Sequence, residues 1–106
     1  MNEQEAEIKP VLPATDLMPI VARMFGTTVA EIKGGGRNKH LIGARSVITM
    51  VLREHRGLSY PIIGRIQGGR DHTTIMHQHR TFHAKARANP HWHAAYKAAV
   101  KAFYRD

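Results

Sequence analysis

Leu58-Ser59-Tyr60-Pro61-Ile62-Ile63-Gly64-Arg65-Ile66-Gln67-Gly68-Gly69-Arg70-Asp71-His72-Thr73-Thr74-Ile75 is the stretch on which the fold turns. Ser59 is suited to cap a helix, and Pro61 is tolerated in a first turn because its missing N–H would be unpaired there anyway. Ile62, Ile63 and Ile66 supply a buried face. A helix over about residues 60–67 therefore ends before Gly68-Gly69, where two glycines permit a tight turn. Asp71 is a natural cap for a second helix over about 72–87, with Ile75, His79, Phe82 and Ala86 along one stripe. A short helix, a glycine turn and a longer helix that opens on polar residues match helix-turn-helix architecture.

The segments on either side are helical too. Leu17, Ile20, Val21, Met24 and Phe25 recur at three- and four-residue spacing, after Thr15 or Asp16 and with Pro19 in the first turn. Gly26 stops that helix, and Thr28-Val29-Ala30-Glu31 has capping-box spacing for a short one that ends at Gly34-Gly35-Gly36. Arg37 to Ala44 reads as a basic loop carrying Arg37, Lys39 and His40. A helix then runs from about Ala44 to His55, with Val47, Ile48, Val51 and Leu52 on one face and Gly57 at its end. Asn89-Pro90 breaks the chain before a last helix over about 91–104, striped by Trp92, Ala95, Tyr96, Ala99, Val100 and Phe103. No strand pattern and no internal repeat is apparent. The expected class is all-α. Residues 1–13, charged and holding Pro10 and Pro13, read as a flexible arm ahead of one domain over 14–106.

Charge divides the chain unevenly. Residues 1–36 carry a net −2, while residues 37–106 hold thirteen Lys and Arg against Glu54, Asp71 and Asp106, a net +10. All eight histidines lie in the second part. Such a field attracts polyanions, and nucleic acid is the commonest of these. The absence of cysteine excludes a disulfide framework, a thiolate metal site and a thiol nucleophile. The start, MNEQEAEIKP, lacks the apolar core of a secretory signal, and no apolar run approaches the roughly 20 residues needed to span a bilayer. A cytoplasmic, nucleoid-associated protein without membrane contact is expected.

The Arg70–Thr74 cluster carries the chemistry. Arg70 is a fork of donors for phosphate or a guanine edge, Asp71 can accept from a cytosine amino group, and the methyls of Thr73 and Thr74 suit a thymine methyl. The same residues also read as no more than a glycine helix end followed by an aspartate cap, and residue types alone leave both readings open.

The segment GGRDHTTI, preceded by Ser59-Tyr60-Pro61-x-Ile63-Gly64 and by Arg45-x-x-x-x-Met50-x-Leu52, resembles the C-terminal DNA-binding domain of the bacterial replication initiator DnaA from about Thr15 to Ala88. The resemblance implies a Trp-repressor-like helix-turn-helix bundle with an added C-terminal helix, binding double-stranded DNA at DnaA boxes. It implies that Arg70, Asp71, His72, Thr73 and Thr74 meet the major groove and that Arg37, with Lys39 beside it, enters the adjacent minor groove. It also implies phosphate contacts from Arg45 and from the start of the helix over about 60–67, at Ser59, Tyr60 and Pro61. This chain departs from the family pattern in having fewer loop arginines, Gln67 where an aromatic usually precedes Gly-Gly, and Tyr60 where leucine precedes the proline. No G-x-x-x-x-G-K-[ST] phosphate loop occurs in these 106 residues, so ATPase activity is not expected of them.

Three other uses compete with this reading. His79 with His83, and His91-x-His93, suggest metal, but no cysteine, HExxH glutamate or evident third ligand accompanies them, so solvated or packed histidines and no cofactor are expected. A nuclease would set His72 against Asp71 or Glu54, yet capping accounts for Asp71, and no enzyme is expected. The Trp92–Phe103 stripe would bind a protein partner if it is not core. A regulator of unrelated DNA sites is the nearest alternative function.

Overall fold

The computed structural model describes residues 10–105. After a 3-10 turn at Ala14–Asp16 come six helices: α1 (Leu17–Met24), α2 (Val29–Lys33), α3 (Lys39–Arg56), α4 (Tyr60–Ile66), α5 (His72–Ala88) and α6 (Pro90–Phe103). Among the described residues there is no strand, and the fold is all-α.

Helix α3 is the hub and touches each of the other five. From Gly43 to Leu52 every residue is buried, because neighbours cover all of its faces and not one stripe only. Val47, Ile48, Val51 and Leu52 form the expected apolar face, joined by Ala44 and Met50, against Leu17, Val21, Ile63, Ile75, Phe82 and Phe103 from the surrounding helices. Three polar side chains, Arg45, Ser46 and Thr49, are buried in the same run.

Three caps follow the sequence, whereas Asp16, at the start of α1 where Thr15 or Asp16 is expected to cap, makes no side-chain cap bond. Thr28 Oγ1 accepts from the Glu31 amide at 3.1 Å, Ser59 Oγ from that of Ile62 at 3.3 Å, and Asp71 Oδ1 from that of Thr73 at 2.8 Å. Helix α3, in contrast, starts five residues before the expected Ala44. Asn38 is its cap, with Oδ1 accepting from the Leu41 amide at 3.1 Å, so Lys39 and His40 lie on the first helical turn and not in a loop. Gly43 belongs to that helix. A Cβ there would strike Phe25 and Trp92, so this glycine is required by close packing of α3 against the end of α1 and the start of α6.

The C-terminal stripe is core. Trp92, Ala95, Ala99 and Phe103 are buried, with Tyr96 and Val100 packed against them, which corrects the idea that this stripe awaits a protein partner. His55 fastens the same helix to α3, its Nδ1 3.0 Å from the Tyr104 hydroxyl and its Nε2 3.0 Å from that of Tyr96. Of the arm expected over residues 1–13, residues 1–9 lie outside the described residues. Val11 and Leu12 are not free: both amides donate to the Phe103 carbonyl, at 2.9 and 3.3 Å, and Arg56 donates to the Leu12 carbonyl.

Candidate nucleic-acid interface

Helices α4 and α5 pack on each other through a turn that tolerates little beyond glycine. Gly68 and Gly69 have φ of +94° and +91°, and a side chain on Gly68 would meet the backbone of Lys33. The amides of Gly69 and Arg70 both donate to the Gly64 carbonyl at 2.9 Å. Gly64 in turn has no room for a Cβ, which would collide with the Arg70 carbonyl.

That turn delivers the start of α5 to solvent. Asp71, His72, Thr73 and Thr74 are all exposed. Asp71 Oδ1 accepts from the Thr73 amide and, at 2.9 Å, from the Thr73 hydroxyl, while His72 Nδ1 stands 3.4 Å away. The Thr73 backbone bond first, then its hydroxyl and the His72 ring, hold the Asp71 carboxyl below its usual range. The aspartate therefore remains an anion at the helix N-terminus, where the macrodipole favours it.

Arg45 and Arg70 are placed differently from what the resemblance implies. Arg45 is 4% exposed. Its Nε donates to the Ile32 carbonyl at 2.8 Å, Nη1 to Gly36 at 2.5 Å, and Nη2 to Glu31 at 3.1 Å and Gly34 at 3.0 Å. Four of its five N–H groups are spent on the backbone, so the expected phosphate contact is corrected to a structural clamp. Arg70 reaches the same segment. Its Nη1 donates to Ile32 at 3.1 Å and to Gln67 at 2.6 Å, and its Nη2 donates to Gly34 at 2.5 Å. The Nε proton and one Nη2 proton remain, enough for a phosphate oxygen but not for the free fork expected at a base edge.

Burial lowers the pKa of both guanidiniums, and the charge of Arg70 adds to the effect on Arg45, yet neither loses its proton near neutral pH. The pair shares the Ile32 and Gly34 carbonyls and has no carboxylate partner among the described residues. The physical consequence is rigidity between elements: the loop after α2, carrying Arg37, is tied to the helix-turn-helix through the side chains of α3 and of the turn. Arg37 and Lys39 themselves are exposed.

Ser59 is half-buried at the start of α4 and, as cap acceptor, keeps its own hydroxyl proton to give. Tyr60 is tied inward. Its hydroxyl lies 2.9 Å from His79 Nδ1, His79 Nε2 lies 3.2 Å from Glu54 Oε1, and the Arg53 guanidinium covers the Tyr60 ring at 4.4 Å. Tyr60 thus ties α4 to α5 and α3 through its side chain, so its hydroxyl is engaged within the fold. Glu54 is engaged by His79, while His72 stands beside Asp71, the residue that caps α5.

Between the loop and α5 lies an open groove of about 680 Å³, lined by Lys33, Arg37, Ile42, Thr74, His77, Gln78 and Lys85 among others. No acidic residue lines it. Lys33, His77, Gln78 and Lys85 were not singled out from sequence. The last three follow Thr74 at helical spacing, three, four and eleven residues on, so the periodicity of α5 held the signal.

A glycine-turned helix pair, an exposed polar helix start and a cationic groove beside it define a helix-turn-helix domain of the DNA-binding class. The family model described as "Bacterial dnaA protein helix-turn-helix" matches residues 14–81. The chain is 35% identical over 71 residues to the chromosomal replication initiator protein DnaA of Picosynechococcus sp., covering 67% of this chain and 16% of that protein. It is 36% identical over 76 residues to the protein of the same name from Streptococcus pyogenes serotype M1, covering 72% of this chain and 17% of that one. The chain belongs to the bacterial DnaA helix-turn-helix family. It spans about a sixth of the length of these relatives. No helix among the described residues is long and apolar enough to cross a membrane.

Proposed function

We propose that this protein binds double-stranded DNA sequence-specifically at DnaA-box-like sites and regulates or competes in replication initiation or transcription, without ATPase activity of its own. The observation that carries this reading is the exposed Asp71–Thr74 helix start standing beside a groove with no acidic lining. An α-helix fits the major groove of B-DNA, and His72, Thr73 and Thr74 at its leading end meet base edges there. The second carboxylate oxygen of Asp71, not engaged by Thr73, accepts from a cytosine amino group.

Arg37 probes the adjacent minor groove from a loop whose distance from α5 is set by the Arg45–Arg70 clamp. Lys39, the Ser59 hydroxyl and the remaining N–H groups of Arg70 hold phosphates and fix register. Pre-fixing the loop reduces the ordering cost on binding and sets the spacing between minor-groove and major-groove contacts.

The test is a fluorescence titration of His72→Ala and Asp71→Ala on a DnaA-box duplex and a scrambled duplex at one fixed salt concentration. Loss of a base contact costs about 1–3 kcal/mol on the box, and much less on the scrambled duplex. Equal losses on both duplexes reject base readout at these positions.

A further inference from the structure

A chain of polar side chains runs from the centre of the fold to the wall of the groove. Gln67 is fully buried, and its Nε2 donates to the Arg45 carbonyl at 3.0 Å and to Thr49 Oγ1 at 2.8 Å. The Arg45 carbonyl fixes which way round this amide sits, since turning it over would set Gln67 Oε1 against another acceptor. A hydroxyl that accepts from Gln67 still has its own proton to place. Thr49, itself fully buried, gives that proton to Gln78 Oε1 at 2.6 Å. The oxygen of Gln78 is therefore aimed at a buried hydroxyl, away from the groove. Its –NH₂ is left at the half-buried groove wall beside Thr74 and His77, with no acceptor among the described residues.

We propose that Gln78 is a donor-only contact to the bound duplex and that Thr49 is the residue that positions it. In that orientation the amide gives hydrogen bonds to an acceptor atom of the DNA, either a phosphate oxygen or an acceptor on a base edge such as thymine O4 or guanine O6 and N7. It cannot make the paired donor-and-acceptor contact by which a freely turning glutamine reads adenine. The Gln67–Thr49 pair thus sets, from inside the core, the polarity of a side chain on the reading face. This inference rests on the DNA-binding reading above and adds a specificity element to the same site.

The experiment compares Gln78→Met, which keeps length and volume but has no donors, with Gln78→Glu, which replaces the donor by a carboxylate, and with Thr49→Val. Dissociation constants are measured on the box and scrambled duplexes, with thermal unfolding followed in parallel and Gln78→Ala held as a substitute should the methionine variant not fold. Gln78→Met is expected to weaken binding about three- to ten-fold at nearly unchanged melting temperature, as for one neutral hydrogen bond, and Gln78→Glu to weaken it further. A loss confined to the box places the acceptor on a base, and an equal loss on both duplexes places it on a phosphate. Thr49→Val frees the amide to turn, so where the acceptor is a base, a series of boxes with single base changes is expected to show adenine favoured more at that pair than by the parent protein, through the added contact to its N6.

Parent-like affinity of Gln78→Met on both duplexes, with His72→Ala still impaired, overturns the inference and leaves the DNA reading standing. So does a lowered melting temperature with affinity per folded molecule unchanged, which is the mark of a purely structural glutamine. Failure of the parent protein to bind either duplex overturns the DNA reading itself.

Discussion

Two pairs of cationic residues flank the same short segment and do opposite things. Arg37 and Lys39 stand in solvent, while Arg45 and Arg70 are folded back on the carbonyls of Glu31, Ile32, Gly34, Gly36 and Gln67. Residue type does not separate the pairs. What separates them is the supply of orphan acceptors: a five-residue helix followed by three glycines leaves the Ile32, Gly34 and Gly36 carbonyls without a backbone donor, and a guanidinium presents enough donors to satisfy several together. Positive charge in this domain is thus of two kinds, one that builds the reading surface and one that meets the polyanion.

Arg45→Met breaks the comparison at its stronger end. It removes four hydrogen bonds from a charged donor and leaves the Gly36 carbonyl without its partner, at a cost of about 3 kcal/mol in denaturant unfolding. DNA binding then falls on all sequences alike, because the loop loses its position.

Gly68→Ala strikes the same joint from the backbone. An alanine at φ +94° and against the Lys33 backbone is expected to cost about 2 kcal/mol. Gly26→Ala, also at positive φ but with open space around it, loses only the conformational part. A smaller drop in melting temperature for Gly26→Ala than for Gly68→Ala verifies that the α2–turn contact, and not backbone preference alone, fixes the joint.

Arg37→Ala tests the other pair. With an exposed side chain, its removal leaves the unfolding free energy unchanged to within about 0.5 kcal/mol. Affinity falls, and the slope of log K against log salt declines by about 1, as for one lost phosphate-region contact. An Arg37→Ala protein with an unchanged salt slope would show that the loop does not touch DNA.

The distinction between the two pairs is where sequence reasoning reached its limit. Helix positions, three caps and the Gly68-Gly69 turn were legible because each depends on local chemistry within a few residues. The start of α3 was not, since Asn38 sits among glycines and cations that look like loop, and only the burial of Leu41 reveals a helical turn there. The burial of Arg45 was hidden for a related reason: its partners are backbone carbonyls nine to fourteen residues away, and carbonyls leave no mark in a sequence. Tyr60 looked like a surface anchor for want of any hint that His79, nineteen residues on, would meet its hydroxyl. Gln67 was noticed as a departure from the family pattern, yet its link through Thr49 to Gln78 emerges only from packing.

Asp71 sits where the two kinds of role meet, as helix cap and as reader, and the smallest expected effects separate them. Asparagine caps a helix about as well as aspartate, so Asp71→Asn should keep the Thr73 bonds and the melting temperature near neutral pH, whereas Asp71→Ala should lower it by a few degrees. The carboxyl is held below its usual range by Thr73, so its stabilising contribution is present above the ordinary aspartate pKa and is lost as pH falls through the depressed folded value. Full exposure keeps that contribution small, and in Asp71→Asn this part of the acid dependence should vanish in melts taken from about pH 7 down to about pH 3. On DNA the two substitutions part company with their stabilities. An amide in place of the carboxylate can still accept a hydrogen bond but no longer repels phosphate, so Asp71→Asn should bind the scrambled duplex more tightly than the parent while discriminating less well against it. If Asp71→Asn and Asp71→Ala instead show the same box-to-scrambled ratio as the parent, the aspartate is a cap alone, and recognition falls to His72, Thr73 and Thr74.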